Sequence, residues 1–369
     1  MRELYEERDI YMCYKDEVQR KNANELKKKL NDINAPQFIK DYFYNLNSEA
    51  GKLHCLSIIT DFLSFLIEDG RIDVSSISEI TEDTMKNISK TDAIVYLDSF
   101  SKNDISPITV NNKKNILGSF WSHLECEEIV NKNIIRSIPK TKFKVKDNNE
   151  VKLPREEMID MINNIQSIGN SFIRERNLII IEILKDTGLR ESELIGLDID
   201  DLYLECEKPY LKVLGKGFYS KTDMDTVLLS YNAKIALEKW LMIRNSMTKN
   251  ANKTALFVNT TGKRMTEINL KKIFRQYSDG KIHPHMMRHL CGTVLYYHTK
   301  DISFVQKQLR HASVNTTIKY YVSGDIDKKI YAEIDKTASQ KICNILKCNY
   351  NKEMWCCYGY KTYEQIDNV

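Results

Sequence analysis

Five of the seven histidines fall between His283 and His311, in company with Arg288, Arg310 and the pair Tyr320 and Tyr321. His285 and Arg288 are three residues apart. Pro284 suits a first helical position, so a helix is expected to start there. The i,i+3 spacing then puts imidazole and guanidinium on one face. Arginine is a fixed fork that matches phosphate oxygens and stays charged at every relevant pH. Imidazole can donate to the same group or move a proton. His311 and Tyr320 are nine residues apart. On one unbroken helix they would lie about 13–14 Å apart along the axis and on opposite sides. They serve one site only if a turn intervenes, and Ser313, Asn315, Thr316 and Thr317 are capping and turn residues. The expectation is one helix carrying His285 and Arg288, a second ending near His311 and a third carrying Tyr320.

The elements that must position this group lie upstream. Residues 1–33 read as a charged helical extension with the basic cluster KNANELKKK. Residues 34–138 read as a helical domain, since FIKDYFYNL and KLHCLSIITDFLSFLIEDG carry apolar residues at i, i+3, i+4. In the stretch from Ile108, Asn111, Lys114 and Asn115 are expected opposite the apolar Ile116, Leu117 and Phe120, with Lys113 near enough to the helix start to reach outward. Such a face either tracks phosphates or is simply solvated. Residues 139–153, which include Lys142, Lys144 and Lys146, read as a basic linker, expected to run as a strap along the DNA backbone rather than as a plain soluble connection.

A second domain is expected over 154–323. PREEMIDMINNI opens a helix. FIRERNLIIIEILKDTG is a strongly apolar helix ending at Gly188, a natural C-cap. Arg190 follows the cap, and Glu193 comes three residues later. LYLECEKPYLKVLGKGFYSKTDMDTVLLS has the short β-rich runs and turns of a small antiparallel sheet. SYNAKIALEKWLMIRNSM and INLKKIFRQYS are helices, with ALFVNTTGKRM between them as a short strand and turn. In the final segment, 324–369, Ile326, Ile330 and Ile334 recur at helical spacing.

The whole chain has 369 residues, 42% hydrophobic and 29% charged, with few prolines and glycines. That is the balance of a mainly helical globular protein of two or three domains. No uninterrupted apolar run approaches the ~20 residues of a membrane span, and the charged N-terminus is unlike a signal peptide. A cytoplasmic protein is expected. The net charge of +4 permits nucleic-acid binding without arguing for it. Nine scattered cysteines fit reduced thiols. Cys343, Cys348, Cys356 and Cys357 match no common zinc spacing.

H-x-x-R-H from His285, L-x-H-A-S from Leu309 and T-T-x-x-Y ending at Tyr320 resemble the C-terminal signature of the tyrosine recombinases, the phage-integrase family. TGLRESEL resembles the family's first arginine box, and GKG at 215–217 its lysine-bearing sheet turn. The resemblance implies a mainly α protein with a small antiparallel sheet, built as a two-domain clamp on double-stranded DNA. It assigns catalysis to Arg190, Lys216, His285, Arg288, His311 and Tyr320, with Glu193 supporting them. Tyr320 would attack a DNA phosphodiester to give a 3′-phosphotyrosyl intermediate. The two arginines and the histidines would hold the charge gathering on the phosphate, and the lysine would protonate the leaving oxygen. No metal or nucleotide cofactor is implied.

Taken singly, each residue also has a plain structural role: Arg190 on terminal carbonyls, Lys216 at a hairpin tip, Tyr320 in a core. Their joint occurrence carries the assignment. Three departures stand out. Arg310 occupies a position where the family usually has glycine; it either strains the backbone or reaches a phosphate. The hairpin after GKG is long and contains Asp223, so Lys216 and Lys221 both remain candidates. Tyr321 is a second candidate nucleophile, although the spacing from His311 favours Tyr320. The resemblance further implies a synaptic tetramer, a C-terminal helix that docks on a neighbouring subunit, and an accessory DNA-bending protein. Integration or transposition of a mobile element is the leading expectation. Chromosome or plasmid resolution, topoisomerase-like relaxation and non-catalytic DNA binding are the alternatives.

Overall fold

A computed structural model describes residues 14–101, 105–140, 155–215, 224–247, 254–321 and 328–347. The chain divides into two compact units, Met1–Asp147 and Asn148–Val369.

The first unit is helical: α1 Tyr14–Asp32, α2 Gln37–Tyr42, α3 Glu49–Glu68, α4 Glu82–Asn87, α5 Lys90–Ser101 and α6 Pro107–Cys126. The starts are written locally. Ser48 caps α3 by accepting from Gly51 N at 3.3 Å, and Ser106 caps α6 ahead of Pro107. Helix α3 is long and apolar enough to cross a membrane by length and composition. Leu56, Ile59, Phe62, Leu63 and Leu66 instead lie in the unit's core. Aromatic rings meet edge-to-face there, Phe62 on Tyr96 at 5.0 Å and on Trp121 at 5.5 Å.

The phase of α6 differs from the sequence expectation. Its buried stripe runs Val110, Lys114, Leu117, Trp121, Leu124, the period of a packed helix. Lys114 therefore lies on the inner face and is 9% exposed. Lys113 does not reach outward either. Its ammonium pairs with Asp61 at 2.7 Å and sits 4.2 Å above the Phe100 ring. Asn112 and Asn115 take the exposed positions.

In the second unit the sheet runs β1 Leu202–Tyr203, β2 Tyr210–Val213 and β3 Asp225–Leu228, antiparallel in that order. The register pairs Tyr210 with Leu228 and Val213 with Asp225. Around it are α7 Arg155–Gln166, α8 Ser171–Thr187, α9 Glu191–Gly196, α10 Tyr231–Met247, α11 Glu267–Tyr277, α12 Pro284–Thr299, α13 Ile302–Leu309, α14 Val314–Tyr321 and α15 Lys328–Leu346. The stretch ALFVNTTGKRM makes only isolated bridges, Asp198 with Ala255 and Val258 with Arg264. Helix α8 is buried along most of its length and packs on α7, α10, α12 and α15.

Gly188 ends α8 at φ 60. A Cβ there would lie 2.4 Å from Leu309 Cδ2 and 3.2 Å from Cys291 Sγ. Left-handed strain and overpacking act together in Gly188→Ala. It should lower stability by about 2–4 kcal/mol, read as a fall in the denaturant midpoint.

The C-terminal helix has packing partners within its own unit. Helix α15 packs in cis, against α7, α8 and α12 of its own unit. Tyr331, Ile334, Ala338, Ile342 and Leu346 are buried there, while Ile330 is 46% exposed. The reason is chemical as well as apolar. Asp335 pairs with Lys185 at 2.9 Å, Lys185 pairs with Glu182 at 3.0 Å, and Ser339 bonds Lys185 and Glu182. Burial lowers the affinity of the Lys185 amine for its proton. The carboxylates of Asp335 and Glu182 outweigh this and hold its pKa above the ordinary value. Buried charges have to be paired, so this helix closes an ion-pair network as well as a core.

Candidate active site

Three elements converge on the site. The first is the loop from Gly188 into α9. Arg190 precedes that helix in extended conformation. Glu193, one turn in, accepts the Arg190 backbone N–H at 2.8 Å and Arg190 Nη1 at 2.6 Å. The second is the start of α12. His283 is its N-cap residue, Pro284 its first residue and His285 is exposed. One turn later Arg288 is 3% exposed. The third is the turn at 309–311, held to the sheet by Gln308. The Gln308 amide accepts from Leu228 N at 3.1 Å and donates to Leu228 O at 2.9 Å.

Arg288 pins the other two elements together. Its Nη1 donates to Gly188 O at 2.5 Å and its Nη2 donates to Leu309 O. Two of its five donors are spent on the scaffold. Burial first, then the neighbouring Arg190 and Arg310, push its pKa down to about 10. It is still a cation at neutral pH.

His311 Nδ1 lies 2.9 Å from Thr317 Oγ1 on α14. With that hydroxyl donating to Nδ1, the ring N–H sits on Nε2. Burial, followed by Arg288 and Arg190, brings His311 down to about 4. It is thus a neutral donor at pH 7. Tyr320 follows on the same helix, reached through rings. His289 stands 4.9 Å from His285 and 5.1 Å from Tyr320, edge-on to both.

The two tyrosines differ sharply. Tyr321 is 2% exposed. Its ring fills the slot left by Gly292, where a Cβ would come within 2.4 Å of Tyr321 Cζ. It lies parallel to His311 at 6.2 Å, and burial raises its hydroxyl pKa well above the usual phenol value. Tyr320 is only partly buried.

Arg310 corrects the expectation of a phosphate-reaching side chain. Its backbone is left-handed at φ 55, and its guanidinium turns inward, with Nη2 donating to Glu193 Oε2 at 2.7 Å. Burial acts to raise the Glu193 pKa, but Arg310 and then Arg190 outweigh it, and the carboxyl titrates below the ordinary range. Lys216 and Lys221 lie outside the described residues, as do the linker lysines Lys142, Lys144 and Lys146.

A pocket of about 230 Å³ opens between Arg190, Ser192, Pro284 and His285, with Glu191 and Glu267 also lining it. Sequence reasoning missed the inward Arg310–Glu193 pair and the contact of Thr317 with His311. Thr317 had a signal, since it lies in the T-T-x-x-Y run six residues after His311.

His289 gives a pH test. Burial, then the charges of His285 and Arg288, lower its pKa to about 4 from 6.5. The unfolded chain binds this proton more tightly, so the stability His289 contributes is full above pH 6.5 and is lost as pH falls towards 4. His289→Gln should flatten the fall in denaturant midpoint over that window. A fall as steep as in wild type would show a ring that protonates freely in the folded state.

The model of the phage integrase family matches residues 152–325. The tyrosine recombinase XerC of Thermodesulfovibrio yellowstonii is 30% identical over 226 residues, covering 58% of this chain and 71% of that protein. The tyrosine recombinase XerD of Oceanobacillus iheyensis is 29% identical over 294 residues, covering 76% and 92%. Among solved structures, the XerH site-specific recombinase bound to difH substrate, in a pre-cleavage complex, superposes with a TM-score of 0.55 at 25% identity, covering 78% of this chain and 79% of that one.

Proposed function

The chain belongs to the phage integrase family of tyrosine recombinases, and from that premise we propose that it recombines two short duplex DNA sites through a phosphotyrosine on Tyr320. The Tyr320 hydroxyl oxygen bonds to phosphorus, and the bond from phosphorus to the 5′-oxygen breaks. Energy stays in the 3′-phosphotyrosyl link, so a 5′-hydroxyl from another strand can reverse the step. Tyrosine has an ordinary pKa of about 10, so its attack needs cations close by. Arg190 and Arg288 supply these to the non-bridging oxygens, and His311 Nε2–H and His285 add neutral donors. Removing one such donor typically costs ~10²–10³ in rate. Lys216 or Lys221 protonates the leaving oxygen.

The observation that carries this reading is Arg288, which joins the Arg190 loop to the His311 turn by two carbonyl bonds one turn after His285. Conservation of bond energy in the tyrosine link needs no cofactor. The relatives' names support site-specific recombination: both are named Xer tyrosine recombinases, and XerH is a site-specific recombinase on its difH substrate. The synaptic assembly we infer is a tetramer, each pair of subunits cutting one pair of strands.

The test is a pool of nicked suicide duplexes with randomised arms, incubated with the full chain and run on a denaturing gel. A covalent adduct, recovered and sequenced, gives the chemistry and the target together. Retarded DNA on a native gel with no adduct would move the weight to non-catalytic binding.

A further inference from the structure

Arg310 is held at a double cost. Its backbone is left-handed at φ 55, ψ 48, a conformation strained for any residue with a Cβ. Its side chain is 5% exposed, and the buried Nε lacks a protein partner. Such strain clusters at functional sites.

The geometry shows what the residue does there. Arg310 Nη2 takes Glu193 Oε2 at 2.7 Å, and Arg190 Nη1 takes Oε1 at 2.6 Å. One carboxylate serves two guanidiniums. The carbonyl of Arg310 also accepts from Arg190 Nη2 at 3.3 Å. The carbonyl before it, on Leu309, accepts from Arg288. The 309–310 turn therefore touches both other arginines through its main chain, while its side chain draws on the charge of Glu193.

We propose that Arg310 is a positioning residue for the phosphate: by sharing Glu193 it leaves Arg190 only partly neutralised, and through its carbonyl it aims the Arg190 guanidinium at the pocket. Two guanidiniums on one carboxylate, with Arg288 close enough to feel all three charges, leave an excess of positive charge that a phosphodiester anion completes. Without Arg310, Glu193 belongs wholly to Arg190 and the field at the phosphate weakens. The proposal deepens the recombinase reading and rests on it.

The probe is inorganic orthovanadate, a phosphoryl mimic, titrated into the full chain and followed by NMR on the histidine rings. Arg310→Gly relieves the left-handed backbone and removes the charge. It should bind vanadate roughly tenfold more weakly, the scale of one charge-assisted contact partly lost. Arg310→Lys, which keeps the charge, should stay nearer wild type. The His311 ring faces Arg190 from the loop before α9, Arg288 and His289 from α12, and Thr317 from α14. With one neighbouring cation gone, it should titrate at higher pH in Arg310→Gly.

Unchanged vanadate affinity with an unchanged His311 titration would overturn the proposal and leave Arg310 a merely structural residue. So would a wild type that binds no vanadate. Should Arg310→Gly fail to fold, Arg310→Gln against Arg310→Lys carries the comparison, and equal affinities overturn it. A vanadate effect of Arg310→Gly beside a wild type that forms no DNA adduct would sink the recombinase reading and keep the anion centre.

Discussion

Tyr320→Phe will abolish the covalent protein–DNA band on a nicked suicide duplex, and Tyr321→Phe will keep it. The difference follows from the surroundings of the two rings. A nucleophilic oxygen has to meet phosphorus and lose its proton in reach of cations. Tyr321 cannot do this without leaving its slot. Its ring sits against Gly292 in a cluster with Cys291, Leu295, Val305 and Leu309. Burial holds its proton more tightly than an ordinary phenol. Tyr320 is partly exposed and borders His289. Phenylalanine at 320 keeps that edge-to-face contact and removes only the oxygen, so duplex binding on a native gel should match wild type. A band lost only in Tyr321→Phe would mean that α14 rotates by about 100° when DNA binds.

Lys185→Met should cost about 3–5 kcal/mol of stability, because it leaves buried carboxylates without their cation. For a unit of this size that is a fall in melting temperature of roughly 10 °C. The side chains of Lys185, Glu182 and Asp335 are 2%, 1% and 6% exposed, so water offers little relief. The sign with pH is defined. Burial already raises the Asp335 carboxyl to about 6, with Lys185 acting against the rise. Without the ammonium it rises further, the folded variant binds the extra proton, and the deficit shrinks on acidification. The variant should therefore lie closest to wild type near pH 5 and furthest above pH 7. A loss under about 1 kcal/mol at pH 7.5 would show that the network is hydrated.

The order of helices and the sheet of the second unit were legible because the sequence marks their ends: Gly188 past an apolar helix, Pro284 opening another, polar turn residues between His311 and Tyr320. The positions of Arg190, His285, His311 and Tyr320 were legible for the same reason, since each sits at a helix end or a turn. What escaped was direction. Lys114 reads as surface until the phase of α6 is fixed by Trp121 and Leu124. Arg310 reads as a phosphate ligand until its φ sends the side chain towards Glu193. The cis packing of α15 depends on partners far away in sequence. Glu182 and Lys185, two charges inside an apolar helix, signalled that some buried partner exists without saying which.

The ion-pair network has a meaning for a chain still on the ribosome. Ser339 and Glu182, which bond directly, are separated by 157 positions. At 5–20 residues per second, roughly 8–30 s of synthesis pass between them. Throughout that interval the helix that ends beside Arg190 carries two buried-to-be charges with no Asp335 to meet. A nascent chain therefore carries this helix with its charges unmatched until the segment bearing Asp335 and Ser339 has been made.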